Sequence, residues 1–556
     1  MAPIIRTCSS LVAVAVALAP PAAFAKRSAP QRSALGYYVG ARVSDAAGDE
    51  SGTLAGYSAA LATEPGNQLL ALRTARAALR QGNFALALRA GHQLDVKNGI
   101  AGDALMLLIA ERVKLGDWRG AGALVGALEN DAGFNFMEPL FRAWIAFGAR
   151  SGDPLAILDA IPADSYASNY AGESRAYFLL ARGQQDEAIA LATQEVARFG
   201  GLSSLRLTAA AALQRSGKRD EALAMLDGNR AELGDAYALV AGGRALPQTN
   251  LSAQQGMAQL FSRLSFDLLA EKIPTLALMM ARTGRYLDPA NPVLGMVEAR
   301  ALYEGGKFQA AEGALARLSR DPIVGREAAQ QRVACLDALG QSQEALALAQ
   351  SLVLASPKSS LVRSNLGELL EKRGQFADAA VAYGAAIQNA EAGDNAIPLW
   401  RLWFDKARAL ERGGDWPGAK VALQKAIILA PDQAGPLHQL GNGMVKRREN
   451  LPEALRLIRT ASRIAPDDVS ILDALGWALF LNGDDDEAIT VLESAARVAP
   501  GDTTINEHLG DAYWRVGRKV DARYAWSAAA IHAQDDAATR LAAKLDIGWT
   551  AQSAAR

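Results

Sequence analysis

The fold is decided by residues 469–502, which read VSILDALGWALFLNGDDDEAITVLESAARVAPGD. The first half places small and apolar residues three or four positions apart, the spacing of one face of an amphipathic helix: Leu472, Leu475, Gly476 and Leu479. The second half repeats this spacing beyond Gly483, at Ala488, Leu492 and Ala495, and Pro500 closes the stretch. The pattern therefore predicts a pair of packed helices.

The step from Gly483 to Ala488 recurs along the chain. A glycine is followed five residues later by an alanine at ten places: 82/87, 116/121, 183/188, 217/222, 306/311, 340/345, 374/379, 414/419, 483/488 and 517/522. Several neighbouring pairs are 34 residues apart, as from Gly306 to Gly340 and from Gly340 to Gly374. A glycine can end a helix in the left-handed conformation without strain, and an alanine lets two helices approach closely. The spacing predicts an array of helix pairs.

The same frame extends over most of the chain. It fits 503–536, then 434–468 with one inserted residue, and nearly as well 400–433 and 360–389. A chain of 556 residues is too long for one compact core, so it must form several domains or an open array of repeats. We expect about 14 helix pairs from Tyr37 to Asp536, in strong register after Pro289. The predicted fold class is all-α, a right-handed α-solenoid.

The sequence also predicts boundaries within this array. Residues 26–235 form divergent repeats, 236–256 an irregular joint, 257–536 a regular array, and 537–556 a capping helix with a tail. The joint is marked by Gly242-Gly243, Pro247 and Asn250, and a helix pair that has drifted from the pattern is the alternative. A final helix over 537–549 would shield the last repeat, as the end of a solenoid requires.

The repeat resembles the tetratricopeptide-repeat (TPR) family. That family has Leu-Gly in the first helix, Ala in the second and a closing Pro, which correspond here to Leu475-Gly476, Ala488 and Pro500. The resemblance implies a superhelix whose first helices line a concave, protein-binding face. Protein or peptide partners are therefore expected.

The first 25 residues predict a cleavable export signal. Arg6 precedes the apolar run 11–19, Pro20-Pro21 ends it, and Ala23-Phe24-Ala25 provides a cleavage site before Lys26. Cys8 precedes the apolar run, so lipidation there is not expected. No later run reaches the ~18 apolar residues of a membrane span. The expected location is the periplasm, and peripheral association with the outer membrane is left open.

Residues with catalytic or ligand-binding chemistry are sparse. The net charge is −1, so the overall charge does not favour nucleic acid. Four histidines are scattered, without metal-binding spacing, and phosphate-loop and nucleophile-elbow motifs are absent from the sequence. Cys335 is the only cysteine left after cleavage, and its apolar neighbours predict a buried thiol. We expect no catalytic residue, no metal site and no cofactor; an enzyme using His508 and Asp511 is the weaker alternative, because no third group is in place.

A partner-binding face is predicted on the first helices of the last four repeats. In the TPR family the second, fifth, ninth and twelfth residues of each unit point inward. The predicted contact residues are Arg401, Phe404, Arg408, His438, Asn442, Asp473, Trp477, Phe480, Glu507, Asp511 and Trp514. Aromatic residues and arginine often dominate interfaces. The alternative is that the aromatics pack against the neighbouring repeat or the capping helix.

Two short blocks are similar to a C-terminal signature of Gram-negative envelope TPR proteins. They are Asp473-Ala474-Leu475-Gly476-Trp477 and the run from His508 to Arg515. Some members of that group bring cell-wall hydrolases to a processing protease. The resemblance implies an exported, non-catalytic scaffold or adaptor in envelope protein complexes or proteolysis. An accessory protein for envelope polysaccharide export or cell-wall assembly is the alternative, and the oligomeric state is open.

Overall fold

The computed structural model describes residues 33–95, 101–200, 203–247 and 251–550. Within these ranges the chain forms thirty α-helices and no β-strand. The all-α repeat fold expected from the sequence is thus confirmed. The predicted signal peptide, residues 1–25, and the last six residues of the predicted tail lie outside the described ranges.

The chain divides into two compact units. The first comprises residues up to Ala171 together with Ser252–Phe261 and Leu278–Pro289, and the second comprises Gly172–Leu251, Ser262–Ala277 and Ala290–Arg556. Helices α9, α14 and α15 each contribute residues to both units.

The first unit begins with eight helices. Their bounds are α1 (Ala34–Ala46), α2 (Glu50–Thr63), α3 (Gln68–Arg80), α4 (Phe84–Gly91), α5 (Gly102–Lys114), α6 (Trp118–Val125), α7 (Glu138–Ala149) and α8 (Pro154–Asp159). Segments of the chain that follow much later return to them: the Arg282 guanidinium donates to the carbonyl of Leu79 at 3.2 Å, and the Gln254 amide to that of Lys114 at 3.1 Å. This unit is therefore not built from neighbouring repeats alone.

The second unit contains the longer run of helices. Up to the irregular segment these are α9 (Ser168–Ala181), α10 (Gln185–Phe199), α11 (Ser203–Arg215), α12 (Arg219–Asp227) and α13 (Arg230–Ala241). They are followed by α14 (Ala253–Ala270), α15 (Pro274–Leu287), α16 (Pro292–Glu304), α17 (Phe308–Leu318), α18 (Gly325–Ala338), α19 (Ser342–Ala355), α20 (Ser360–Lys372), α21 (Phe376–Glu391), α22 (Leu399–Arg412) and α23 (Trp416–Leu429). The last are α24 (Ala434–Lys446), α25 (Leu451–Ile464), α26 (Val469–Asn482), α27 (Asp485–Val498), α28 (Thr503–Arg515), α29 (Lys519–Ala530) and α30 (Asp535–Ile547).

The predicted joint at 236–256 is partly helical. Helix α13 continues to Ala241 and α14 starts at Ala253, so the non-helical part of the described residues is 242–247 and 251–252, and 248–250 lie outside the described residues. Helix α13 packs on α18, where the backbone N–H of Arg326 donates to Asp235 Oδ2 at 2.6 Å. The division of the array at 236–256 stays a prediction.

The glycine and alanine of the repeat do what their spacing predicts. All ten glycines have positive φ, between 71° and 93°, and all ten alanines are 0% exposed. At Gly483, with φ of 93°, the chain reverses between α26 and α27. Each pair therefore turns at a glycine and packs at an alanine.

A second glycine, inside the first helix, sets how closely the two helices of a pair approach. A Cβ atom at Gly476 would lie 2.4 Å from Leu492 Cγ, and one at Gly510 would lie 2.3 Å from Trp526 Cδ1. Both distances are shorter than packed carbon atoms allow. The buried side chains of α22 to α30 form one continuous apolar cluster on this close packing.

We expect Gly476→Ala to lower the free energy of unfolding by about 1–3 kcal/mol, because the added methyl group has no room beside Leu492. Gly313→Ala in α17 is the matched control: a Cβ there meets nothing within 4 Å, and alanine favours a helix over glycine by up to about 1 kcal/mol. Urea unfolding followed by circular dichroism measures both. Equal effects of the two substitutions would contradict the packing role of Gly476.

Candidate partner-binding face

The first helices α20 and α22 hold a network of ion pairs on one surface. Arg408 donates two hydrogen bonds to Glu371, at 2.8 and 2.9 Å, and a third to Asp405 at 2.9 Å. Arg401 and Arg412 pair with the same two carboxylates, while half of each of their own side chains stays exposed. Hydrogen bonds from Arg408 and Arg412 outweigh the effect of burial and hold the pKa of Glu371 below its usual value. This surface therefore presents arginines in fixed positions.

Helix α24 continues this surface with less charge. Phe404 of α22 is half-buried and lies against the start of α24, where its Cζ would be 3.3 Å from a Cβ at Gly435. His438 and Asn442 are both half-buried. Burial lowers the pKa of His438, so the ring is neutral at pH 7. This part of the predicted face offers an aromatic ring, an imidazole and an amide.

Helices α26 and α28 are joined by a stack of rings. The His508 ring lies 4.1 Å from that of Trp477, and the Trp477 ring lies 4.8 Å from that of Phe480, both nearly parallel. The Arg515 guanidinium covers the far side of Phe480 at 3.5 Å. His508 Nδ1 lies 2.8 Å from Asp473 Oδ1, which holds the ring in place. Trp477 and Phe480 are only 6% and 2% exposed, so their prediction as contact residues is corrected: they pack between neighbouring repeats.

Helix α30 covers the inner side of α28. Lys544, which is fully buried, donates to Glu507 at 2.8 Å and to both oxygens of Asp511 at 2.6 and 2.8 Å. Arg540 adds a second bond to Glu507, and Trp526 Nε1 donates to Asp511 at 3.0 Å. Glu507 and Asp511 are 3% and 0% exposed, so their predicted role as contact residues is wrong. Their negative charges hold the capping helix instead.

Trp514 of α28 lies beneath the C-terminal end of α30. Its ring is 5.4 Å from that of Trp526, and a Cβ at Gly548 would lie only 2.2 Å from its Cζ2. Packing against the capping helix is thus the alternative that the structure favours for Trp514. Trp514 is half-buried there, and six other predicted residues also remain at least partly exposed: Arg401, Phe404, Arg408, His438, Asn442 and Asp473. We call these six the inner face, and their binding role stays a prediction.

A groove between α18 and α20 was missed by the sequence prediction. Its volume is about 330 Å³, and it is lined among others by Glu327, Gln330 and Asp337 of α18 and by Asn365 and Glu368 of α20. In the unit 326–359, Glu327, Gln330 and Asp337 occupy the second, fifth and twelfth positions. The rule used for the last four repeats, applied two repeats earlier in the chain, would have found these side chains.

Comparison with known proteins identifies the repeats. The family model for the tetratricopeptide repeat matches residues 336–397, 446–503 and 486–538. These three segments match the tetratricopeptide repeat, and together they cover less than half of the chain. The matched segments include α19 to α21 and α25 to α29, which carry glycine turns and buried alanines described above.

A curated relative and two solved structures extend this comparison. A TPR repeat-containing protein of Pseudomonas aeruginosa is 32% identical over 82 residues, which span 15% of this chain and 14% of that relative. Yeast Tom70 is 12% identical with a TM-score of 0.39, over 92% of this chain and 95% of its own. A tetratricopeptide repeat protein of Parabacteroides merdae is 12% identical with a TM-score of 0.32, over 52% and 97%. Similarity at these scores is loose, and the fold follows from the helices themselves.

Cys335 lies in the packed interior of the second unit. It is 0% exposed in α18, and burial raises the pKa of its thiol to about 11. The thiol is therefore protonated and unreactive at pH 7. Within the described ranges, no helix combines the length and apolar character that a membrane span requires.

Replacing Lys544 by alanine tests the attachment of α30. Glu507 and Asp511 would be left buried without this cation, and we expect the free energy of unfolding to fall by about 3–5 kcal/mol. Lys425→Ala is the control, because Lys425 is exposed on α23. Thermal unfolding followed by circular dichroism measures both.

The loss of stability caused by Lys544→Ala should depend on pH. Burial raises the pKa of Glu507, but hydrogen bonds from Arg540 and Lys544 outweigh it and leave the pKa below the ordinary 4.5. The stabilisation is therefore complete above that ordinary value and is lost as pH falls through the folded-state pKa. We expect the difference between wild type and Lys544→Ala to be large near about pH 7 and to shrink towards about pH 4. A difference that is independent of pH would argue against the ion pairs.

Proposed function

We propose that this chain is an exported, non-catalytic scaffold that binds partner proteins through the inner face of α22, α24 and α26. The observation that carries the proposal is the set of half-exposed side chains on consecutive first helices of TPR pairs, led by Arg401, Phe404 and Arg408. Tetratricopeptide repeats support a protein-binding role in general.

The inner face suits binding because its side chains are already held in place. Arg408 is fixed by three hydrogen bonds to Glu371 and Asp405, so little rotamer freedom is left to lose when a partner binds. Arginine and aromatic side chains contribute most of the energy in many interfaces. Phe404 lies between the two exposed groups of this surface, the arginines of α22 and the polar residues of α24.

The proposed place of action is the bacterial envelope. The support is the sequence of residues 1–25, with Arg6, the apolar run 11–19 and Ala23-Phe24-Ala25. The two C-terminal blocks that resemble envelope TPR adaptors point in the same direction. Adaptor work in envelope protein complexes or proteolysis is therefore the finer proposal.

The inner face can be tested by site-specific photocrosslinking. A photoreactive phenylalanine analogue is placed at Phe404, or at Val421, which is 56% exposed on the second helix α23 and serves as the matched control. We expect envelope proteins to crosslink through position 404 and not through position 421. Mass spectrometry of the products would also separate a proteolytic adaptor from an accessory of polysaccharide export or cell-wall assembly.

The assignment fails if crosslinks form through position 421 only, or through both positions to the same proteins. It is supported further if Arg401→Ala, in a chain that unfolds at the same temperature as wild type, weakens the crosslink at 404. Arg401 is suited to this because half of its side chain is exposed.

Export has its own test. The full chain is produced in a Gram-negative host, and the protein is recovered by osmotic shock and sequenced from its N-terminus. We expect a mature chain that begins at Lys26, because Ala23 and Ala25 provide the small residues a signal peptidase requires. Arg6→Glu should reduce export, and retention of residues 1–25 on a cytoplasmic protein would overturn this part of the proposal.

A further inference from the structure

The groove between α18 and α20 lies outside the predicted face and has unusual chemistry. Its volume of about 330 Å³ lies within the range of ligand pockets. The floor is apolar, with Val333 and Leu369 buried and Leu366 half-buried. Carboxylates and side-chain amides surround this floor.

The groove carries an excess of negative charge. Glu327, Asp337 and Glu368 line it against a single cation, Lys372, which pairs with Glu368 at 2.9 Å. In the part of the chain that the structure describes, the Asp337 carboxylate has no hydrogen-bond or ion-pair partner. Lys372 acts on Asp337 only from beyond ion-pair distance. A ligand with a positive charge would complete this site.

An amide donor is also left over. Gln330 Nε2 is buried and has no hydrogen-bond partner among the described residues. A buried donor without an acceptor costs free energy, which a carbonyl oxygen from a ligand would recover. Asn365 lines the opposite wall on α20. The groove thus combines acceptors for a cation with a donor for a carbonyl.

We propose that the α18–α20 groove binds an extended peptide segment of a partner protein that carries a lysine or arginine side chain. This rests on the proposed function and names the chemistry of one partner segment. The cationic head pairs with the carboxylate of Asp337, and Glu327 adds negative charge towards the other end of the groove. Its methylene stem covers Leu366 and Val333, and a backbone carbonyl of the peptide accepts from Gln330 Nε2.

Other occupants fit the groove less well. The carboxylates would repel the phosphates of a nucleic acid. No group of three His, Cys, Asp or Glu side chains in the described residues is arranged to hold a metal ion. A polyamine would satisfy the carboxylates but offers no carbonyl to Gln330, so it would use only half of the site.

The charge of the groove changes near neutral pH. Burial raises the pKa of Glu327 to about 7, a hydrogen bond from Gln331 works against the rise, and Glu232 and Asp235 of α13 add to it. Arg326 beside it lowers the pKa, and Arg300 of α16 lines the small cavity behind Glu327. Glu327 is therefore neutral below about pH 7 and negative above it. Binding of a cation should strengthen as pH rises through this range.

The test measures binding of a short fluorescent peptide of alternating alanine and lysine to the full-length mature chain, by fluorescence anisotropy at low salt. We expect Asp337→Asn to weaken binding about fivefold. Gln330→Ala should weaken binding of the peptide. It should leave the binding of spermine, measured by competition, unchanged. Glu344→Gln is the matched control, because Glu344 is exposed on the second helix α19 of the same repeat, away from the groove.

A pH series provides a second measurement. Binding to wild type should tighten between about pH 6 and about pH 8, and Glu327→Gln should remove this dependence. A peptide with glutamate in place of lysine should not bind. Melting temperatures equal to that of wild type show that the variants are folded.

The proposal is overturned if Asp337→Asn and Glu344→Gln bind the lysine peptide equally, or if spermine competes as well as an unlabelled peptide of the same charge. A failure here leaves the proposed function standing as long as crosslinks through position 404 persist. A loss of those crosslinks with intact peptide binding would contradict the inner face instead.

Discussion

The structure depends on the close approach of two helices in each repeat. At the centre of a pair, a glycine of the first helix faces a large side chain of the second, as Gly476 faces Leu492 and Gly510 faces Trp526. The buried alanines serve the same contact from the second helix. Because the helices touch at these small residues, the larger apolar side chains can interlock around them. The continuous cluster from α22 to α30 is built on this spacing.

Polar residues on the first helices are either buried beneath another helix or exposed to solvent. Where another helix covers them, as α30 covers α28, carboxylates such as Glu507 and Asp511 become buried anchors for Lys544. Where they stay uncovered, as on α22, ion pairs hold arginines in fixed positions near solvent. The same position in the repeat thus serves stability in one unit and surface chemistry in another. Whether another helix covers the position decides which role the residue has, because a buried charge without a partner costs too much free energy.

The candidate sites could be predicted only in part. Arg401 and Phe404 follow from the inward positions of a TPR unit, and they do lie at the surface. Trp477 and Phe480 follow from the same rule but are buried, because two side chains of the next repeat cover them: the His508 ring stacks on Trp477, and the Arg515 guanidinium lies over Phe480. The same rule, applied to the unit 326–359, also predicts the acidic side chains that α18 contributes to the α18–α20 groove. That Asp337 and the unpaired Nε2 of Gln330 line one groove follows only from the packing of α18 beside α20.

The sequence by itself determined the helix pairs, their turns and their packing residues. These are local properties: a positive φ selects glycine, and a crowded helix contact selects glycine or alanine whatever surrounds the pair. The tertiary structure alone decided which inner residues meet solvent. It also decided that α13 contacts α18, through Asp235 and Arg326, 91 positions apart. Such contacts depend on how successive pairs stack, and no short-range pattern encodes the burial of one side chain beneath a distant helix.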